Sequence, residues 1–120
     1  MVRTKGQVES RRHEERLAKV TGGNRVPASG AFWSRKGDVR SADLLIEHKW
    51  TGKLSFTLKA QVLEKIMTEA ILEGRTPVLG FHLNSRNYVV LDEEDFLGLR
   101  LLLAQREDVR AGLETEGELP

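Results

Sequence analysis

The sequence predicts an α/β fold, a mixed β-sheet flanked by helices in the order α-β-β-β-α-β-β-α. Three observations predict it. An apolar stripe at helical spacing (Leu58, Val62, Leu63, Ile66, Met67, Ala70, Ile71) separates two strand-like runs, 43–50 and 77–82. It is long enough to be the crossover of a parallel pair. A glycine-terminated helix over 5–20 precedes the first strands, and Asp92-Glu93-Glu94-Asp95 opens a last helix, where negative charge meets the positive end of the dipole.

Each element follows in order. The first helix carries Leu17 and Val20 on its inner face, with Glu14 and His13 one turn earlier, and Gly22-Gly23 ends it. Residues 24–28 are short and extended, and Pro27 makes them an edge or a strand end. Ser29-Gly30 opens a loop with Phe32, Trp33, Arg35 and Lys36. A strand resumes at 38–40, turns at Ser41-Ala42 and returns as 43–50, which makes an antiparallel hairpin with Asp38 near one rim. Thr51-Gly52-Lys53 is a break. The second helix runs over 57–73 with its apolar stripe in the core, and Gly74 caps it. Strands 77–82 and 88–91 are joined by a turn at 84–87. The last helix continues over 96–104. Its Leu97, Leu99, Leu101, Leu102 and Leu103 exceed what one small core can cover, so some are expected against another subunit. Residues 1–110 read as one domain and 111–120 as an acidic, flexible tail.

Composition narrows the function classes. Hydrophobic residues make up 39% and charged residues 31% of the 120, as in a soluble globular protein. No apolar run approaches the ~20 residues that span a bilayer. No apolar signal core follows Met1-Val2-Arg3-Thr4-Lys5, so the expected location is the cytoplasm, or the host cytoplasm if the chain is phage-encoded. Without cysteine there is no disulfide, thiolate metal site or cysteine nucleophile. The net charge of +1 hides an asymmetry. Residues 1–40 hold ten Lys/Arg against four acids, whereas residues 91–120 hold nine acids and three Arg. A basic first third suits a polyanionic partner.

The chemistry concentrates in Lys36-Gly37-Asp38-Val39 and Leu44-Leu45-Ile46-Glu47-His48-Lys49. Alternate strand residues share a face, so Glu47 and Lys49 point one way, and Leu44, Ile46, His48 and Trp50 the other. Asp38 and Glu47 supply carboxylates of the kind Mg²⁺ prefers, and the His48 backbone carbonyl a third oxygen. Lys49 can orient water or stabilise charge. Asp43 lies roughly 13 Å from Glu47 at ~3.3 Å per residue, too far to share an ion, whereas a hairpin partner is only ~5 Å away. His13, His48 and His82 fit no metal spacing and read as structural or surface groups.

Gly37-Asp38 followed by Glu47-His48-Lys49 resembles the active-site pattern of the PD-(D/E)xK nuclease superfamily. Arg25-Val26-Pro27-Ala28-Ser29-Gly30, after a helix bearing glutamate, is similar to the archaeal-type Holliday junction resolvases and their phage relatives. The resemblance covers about residues 5–82 and departs from the superfamily's Pro-Asp at Gly37. It implies a restriction-endonuclease-like sheet, and a homodimer that resolves four-way DNA junctions with paired symmetric nicks, leaving 5′-phosphate and 3′-hydroxyl ends. It implies Mg²⁺, with Mn²⁺ able to substitute, and no organic cofactor or membrane. The implied catalytic residues are Glu14, Ser29, Asp38, Glu47 and Lys49, with Glu14, Asp38, Glu47 and the His48 carbonyl on the metal. Glu14 is preferred to Glu15 because it lies one turn before Leu17 and Ala18, while Glu15 is rotated by ~100°. Lys5, Arg11, Arg12, Arg25, Arg35, Lys36, Arg40 and Lys53 are the expected phosphate contacts, with Phe32 and Trp33 able to stack on exposed bases. The alternatives are another repair or restriction-type nuclease of the superfamily and a non-catalytic DNA-binding module of the same fold.

Overall fold

The computed structural model describes residues 3–26 and 38–118, with side chains through residue 112. Helix α1 (Lys5–Thr21) starts with a capping box: Gln7 N–H donates to Thr4 Oγ1 at 3.2 Å and Thr4 N–H to Gln7 Oε1 at 2.9 Å. Gly22 ends it in the left-handed conformation, φ 68°. Gly23 then passes so close to β2 that an added Cβ would lie 2.5 Å from the Arg40 carbonyl oxygen. Strands β1 (Asn24–Val26), β2 (Asp38–Arg40) and β3 (Leu44–Trp50) follow, then α2 (Ala60–Glu73), β4 (Thr76–Leu83), β5 (Arg86–Val90) and α3 (Glu93–Glu118).

The five strands form one mixed sheet in the order β1-β2-β3-β4-β5. β3 and β4 are parallel, joined by the α2 crossover, and the other neighbours are antiparallel. This matches the element order and the α/β class the sequence predicts.

The two faces of β3 carry different layers. Leu45 and Leu79 are buried beneath Ile66 and Ala70 of α2, with Phe56, Val62, Leu63 and Val90 packed around them. On the other face an added Cβ at Gly80 would touch Leu17 of α1 together with Ile46 and His48, so α1 covers that side. Three histidines stack there. The His13 ring lies 4.7 Å from that of His48 and 4.6 Å from that of His82, tilted by 15° and 28°.

Several boundaries differ from expectation. α2 starts at Ala60, not residue 57, because Lys59 is extended and Phe56 ahead of it packs into the core. Its apolar stripe is only partly core: Ile66 and Ala70 are buried, whereas Leu58, Met67 and Ile71 are exposed. The stripe is wider than the line of contact a flat sheet offers one helix. Val20 is also exposed, since the covered side of α1 runs through Gly6, Ser10, His13, Glu14, Leu17 and Thr21. The β4–β5 turn is the two residues Asn84 and Ser85, both at positive φ, the conformation of a tight primed turn. β3 begins at Leu44 because Asp43 belongs to a turn: Ser41 Oγ donates to Asp43 Oδ1 and accepts from Leu44 N–H.

Residues 1–90 form one unit and 91–120 a second. In the second, α3 extends to Glu118, well past the predicted end at 104 and through the segment expected to be a flexible tail. Asp92 Oδ1 caps it by accepting from Glu94 N–H. Phe96, Leu99, Leu102 and Leu103 line one side of α3 and Leu97 and Leu101 the opposite side, all exposed. Among the described residues no helix is long and apolar enough to cross a membrane.

Burial, helped by the charges of His82, Arg16 and Arg12 and opposed by Glu9, pushes the His13 imidazole below its ordinary value. Above that ordinary value neither the folded nor the unfolded chain holds the proton. As pH falls through about 6.5 the unfolded chain binds it first, so stability is lost on the acid side. Urea unfolding between pH 7.5 and 5 should show stability falling, by at most about 1.4 kcal/mol per pH unit for one such group. His13→Phe, which keeps the ring and loses the proton, should flatten that slope.

Candidate functional site

The register of β2 on β3 sets Asp38 directly opposite Glu47 and Arg40 opposite Leu45. Directly opposed residues share a face, so Asp38, Glu47 and Lys49 lie together on the side covered by α2. Lys49 Nζ sits 3.1 Å from Glu47 Oε1, with both side chains largely covered. Asp38 accepts a short hydrogen bond from Arg40 Nη1. Arg40 Nε donates to Glu73 Oε1 at 2.8 Å, and Arg75 Nη1 donates to the same oxygen at 2.9 Å. Arg75 Nε in turn donates to the Ser41 carbonyl at 2.7 Å. A chain of charges thus ties Asp38 through Arg40 to the end of α2 and back to the β2–β3 turn.

The electrostatics of this face centre on Asp38. Burial pushes its carboxyl above the usual range, against the pull of Arg40, and the charges of Glu69 and Glu47 add to the rise. Glu73 moves the other way, because the Arg40 hydrogen bond holds its carboxylate charged.

The predicted site residues are not all brought together. Glu14 is buried, and Glu15 is exposed and paired with Arg11. However, Glu14 lies under α1, on the opposite face from Asp38 and Glu47. Its Oε2 accepts from Arg25 Nε at 3.1 Å, and Arg25 is opposite Val39, whose neighbour across β3 is Ile46. Among the described residues no group of three His, Asp or Glu side chains is arranged to hold a metal, so the set Glu14, Asp38 and Glu47 is not assembled. The position across from His48 on the β2 side lies outside the described residues. Ser29, Arg35 and Lys36, with Phe32 and Trp33, lie outside the described residues.

The expected phosphate contacts divide. Lys5, Arg12 and Lys53 are exposed, and Arg11 is half-exposed in its pair with Glu15. Arg25 and Arg40 are instead mostly covered and engaged with carboxylates. The sequence reading missed Glu69 and Glu73. Their signal was present, since each stands three residues after a covered position of α2 (Ile66 and Ala70), but α2 was read for its apolar stripe alone.

What remains are two cross-strand carboxylates, Asp38 and Glu47, each engaged by a cation of its own, Arg40 and Lys49. The histidine stack does not fit a metal: imidazole lone pairs lie in the ring plane, and stacked rings do not aim them at one point. No protein family, curated protein or solved structure matches the chain.

Because the folded state raises the Asp38 pKa, the unfolded chain gives up the proton first as pH rises, and stability is lost through the carboxylate range and stays lower at neutral pH. Asp38→Asn should therefore melt no lower than the wild type at pH 7 by differential scanning calorimetry. The difference should close once both states are protonated below about pH 4.

Proposed function

We propose that the chain is a Mg²⁺-dependent endodeoxyribonuclease of the PD-(D/E)xK type that cuts branched DNA, with the four-way junction as its substrate and a cytoplasmic site of action. One observation carries the reading: Asp38 directly opposite Glu47, with Lys49 two residues on and paired to Glu47, on one sheet face. Asp38 and Glu47 would hold the cation, which when bound polarises the scissile phosphate. Lys49 stands where it can neutralise charge developing on the phosphate or orient the attacking water. Arg40 holds the Asp38 carboxylate while engaged with Glu73, and so acts as a positioning group instead of a phosphate contact. Glu14, set on the other face by its bond to Arg25, fastens α1 to β1 in this reading. Ser29 keeps the assisting role that the family resemblance implies.

The exposed Lys5, Arg11, Arg12 and Lys53 would take backbone phosphates, giving salt-dependent and sequence-independent affinity. Two coordinated nicks need two sites, and a two-fold homodimer supplies them. Support for the dimer comes from α3, whose two opposite apolar sides resemble a helix meant for burial all round. Leu102→Glu should lower the molecular mass seen by sedimentation equilibrium from dimer to monomer.

The deciding experiment is cleavage of an end-labelled four-way junction with Mg²⁺. Wild type should nick it symmetrically and leave a linear duplex of the same sequence intact. Glu47→Gln should lose about 10²-fold or more in rate, the scale of a removed electrostatic stabiliser, while still binding the junction. No Mg²⁺-dependent cutting of any branched substrate would leave a DNA-binding module as the better description.

A further inference from the structure

One row further along β3 from Glu47, the same sheet face turns aromatic. Lys49 is opposite Phe81 in the β3–β4 register, and Phe81 is opposite Tyr88 in β4–β5. The Phe81 and Tyr88 rings stack with centroids 5.3 Å apart and planes tilted by 21°. Phe56, from the segment after β3, stacks on Phe81 at 5.2 Å and 8°. The run grows more exposed towards the sheet edge: Phe56 and Phe81 are half-buried, while Tyr88 on edge strand β5 is 43% exposed.

The two connecting segments carry charge of one sign. In residues 51–59 and 80–91 every Asp, Glu, Lys or Arg is a cation: Lys53, Lys59 and Arg86. All three are exposed. Arg86 is two residues before Tyr88 and so on the same face of β5. Lys49, Phe81 and Arg86 all lie at the carboxyl end of the parallel pair β3–β4, the end at which open α/β sheets bind ligands. An exposed aromatic among cations, with no carboxylate in either connecting segment, suits a nucleobase and its phosphates better than an apolar or basic peptide.

We infer that Tyr88, backed by Phe81 and Phe56 and flanked by Arg86, is a stacking platform for an unpaired nucleobase of the nucleic acid whose phosphate lies at Lys49. The inference rests on the nuclease reading for the phosphate position. Two interstrand spacings, about 10 Å, separate Lys49 from Tyr88. The base held there belongs to the same strand as the scissile phosphate, a few nucleotides away. A junction centre or a single strand offers such a base, and an intact duplex keeps its bases stacked. The platform therefore gives this face a preference for branched or unpaired DNA with no reading of base identity.

The test is fluorescence anisotropy with labelled single-stranded, four-way-junction and linear-duplex DNA in EDTA, across a salt series. Tyr88→Leu should weaken binding to the single strand and the junction by about 5- to 150-fold, the loss of one base–aromatic stack. It should leave duplex affinity and the salt slope as in the wild type, because no charge is removed. Tyr88→Phe should bind as the wild type does. Arg86→Gln should lower the salt slope by about one for all three DNAs, and it carries the test if Tyr88→Leu melts early. Tyr88→Leu binding like the wild type, or losing equally on duplex, overturns the platform. If wild-type protein cuts junctions while Tyr88→Leu binds normally, the platform fails and the nuclease reading stands. If Tyr88 governs single-strand binding but nothing is cut with Mg²⁺, the nuclease reading fails and the platform stands.

Discussion

The rest of the structure depends on the alternation of side chains along β3. This central strand is covered on both faces, so a one-residue slip would move Leu45 from the α2 layer to the α1 layer and carry Glu47 and Lys49 with it. Its odd-numbered residues meet α2, and its even-numbered residues meet α1. The same register that fills the core with Leu45 and Leu79 sets Glu47 opposite Asp38 and Lys49 beside Phe81. Packing and chemistry are fixed by one constraint, and a change that loosened the core under α2 would also move the carboxylate pair.

The charges on that face are held with unusual economy. Arg40 bonds to Asp38 and to Glu73, Arg75 shares Glu73, and Arg75 closes on the Ser41 carbonyl. Because the participants come from β2, from the turn after it and from the end of α2, each hydrogen bond also fixes where an element ends. Gly23 contributes on steric grounds, since its missing Cβ lets the end of α1 lie against the Arg40 backbone. Partly covered charge pairs of this kind add little net stability. The network therefore specifies position more than it stabilises.

Much of this was legible in the sequence. Element order, the parallel crossover and the Gly74 cap follow from local pattern, and the structure has them, whereas the direct opposition of Asp38 and Glu47 depends on Asp43 belonging to the turn, which local pattern did not give. The phase of α1 likewise points Glu14 inward and Glu15 outward. What local pattern does not encode is which face of a sheet a helix covers. Periodicity says that Glu14 faces a sheet, and only the chain path across the strands sets it on the side away from Asp38. The histidine stack and the Arg40–Glu73 bond were hidden for the same reason. Their members are 33 residues apart or more, and nothing in a local window pairs them. Val20 and Ile71 misled in the opposite sense, since apolar periodicity marks a stripe wider than the contact that uses it.

The two faces of β3 also differ in what their buried polar groups cost. Under α1 the imidazoles of His13, His48 and His82 are stacked ring on ring, and the neutral form of His13 is the favoured one, so that layer behaves as packing. Under α2 the Asp38 carboxylate is partly desolvated with Glu47 and Glu69 nearby, and even a direct bond from Arg40 does not bring its proton affinity back to the usual value. An apolar pair at the same cross-strand position would pack against Leu45 and Ile66 without that penalty. A fold that is otherwise locally consistent departs from the stable choice here, one strand row from Lys49 and the aromatic run. Such a departure is where function is expected to lie. The desolvated Asp38 carboxyl marks, without any family resemblance, the same face as the Glu47–Lys49 pair.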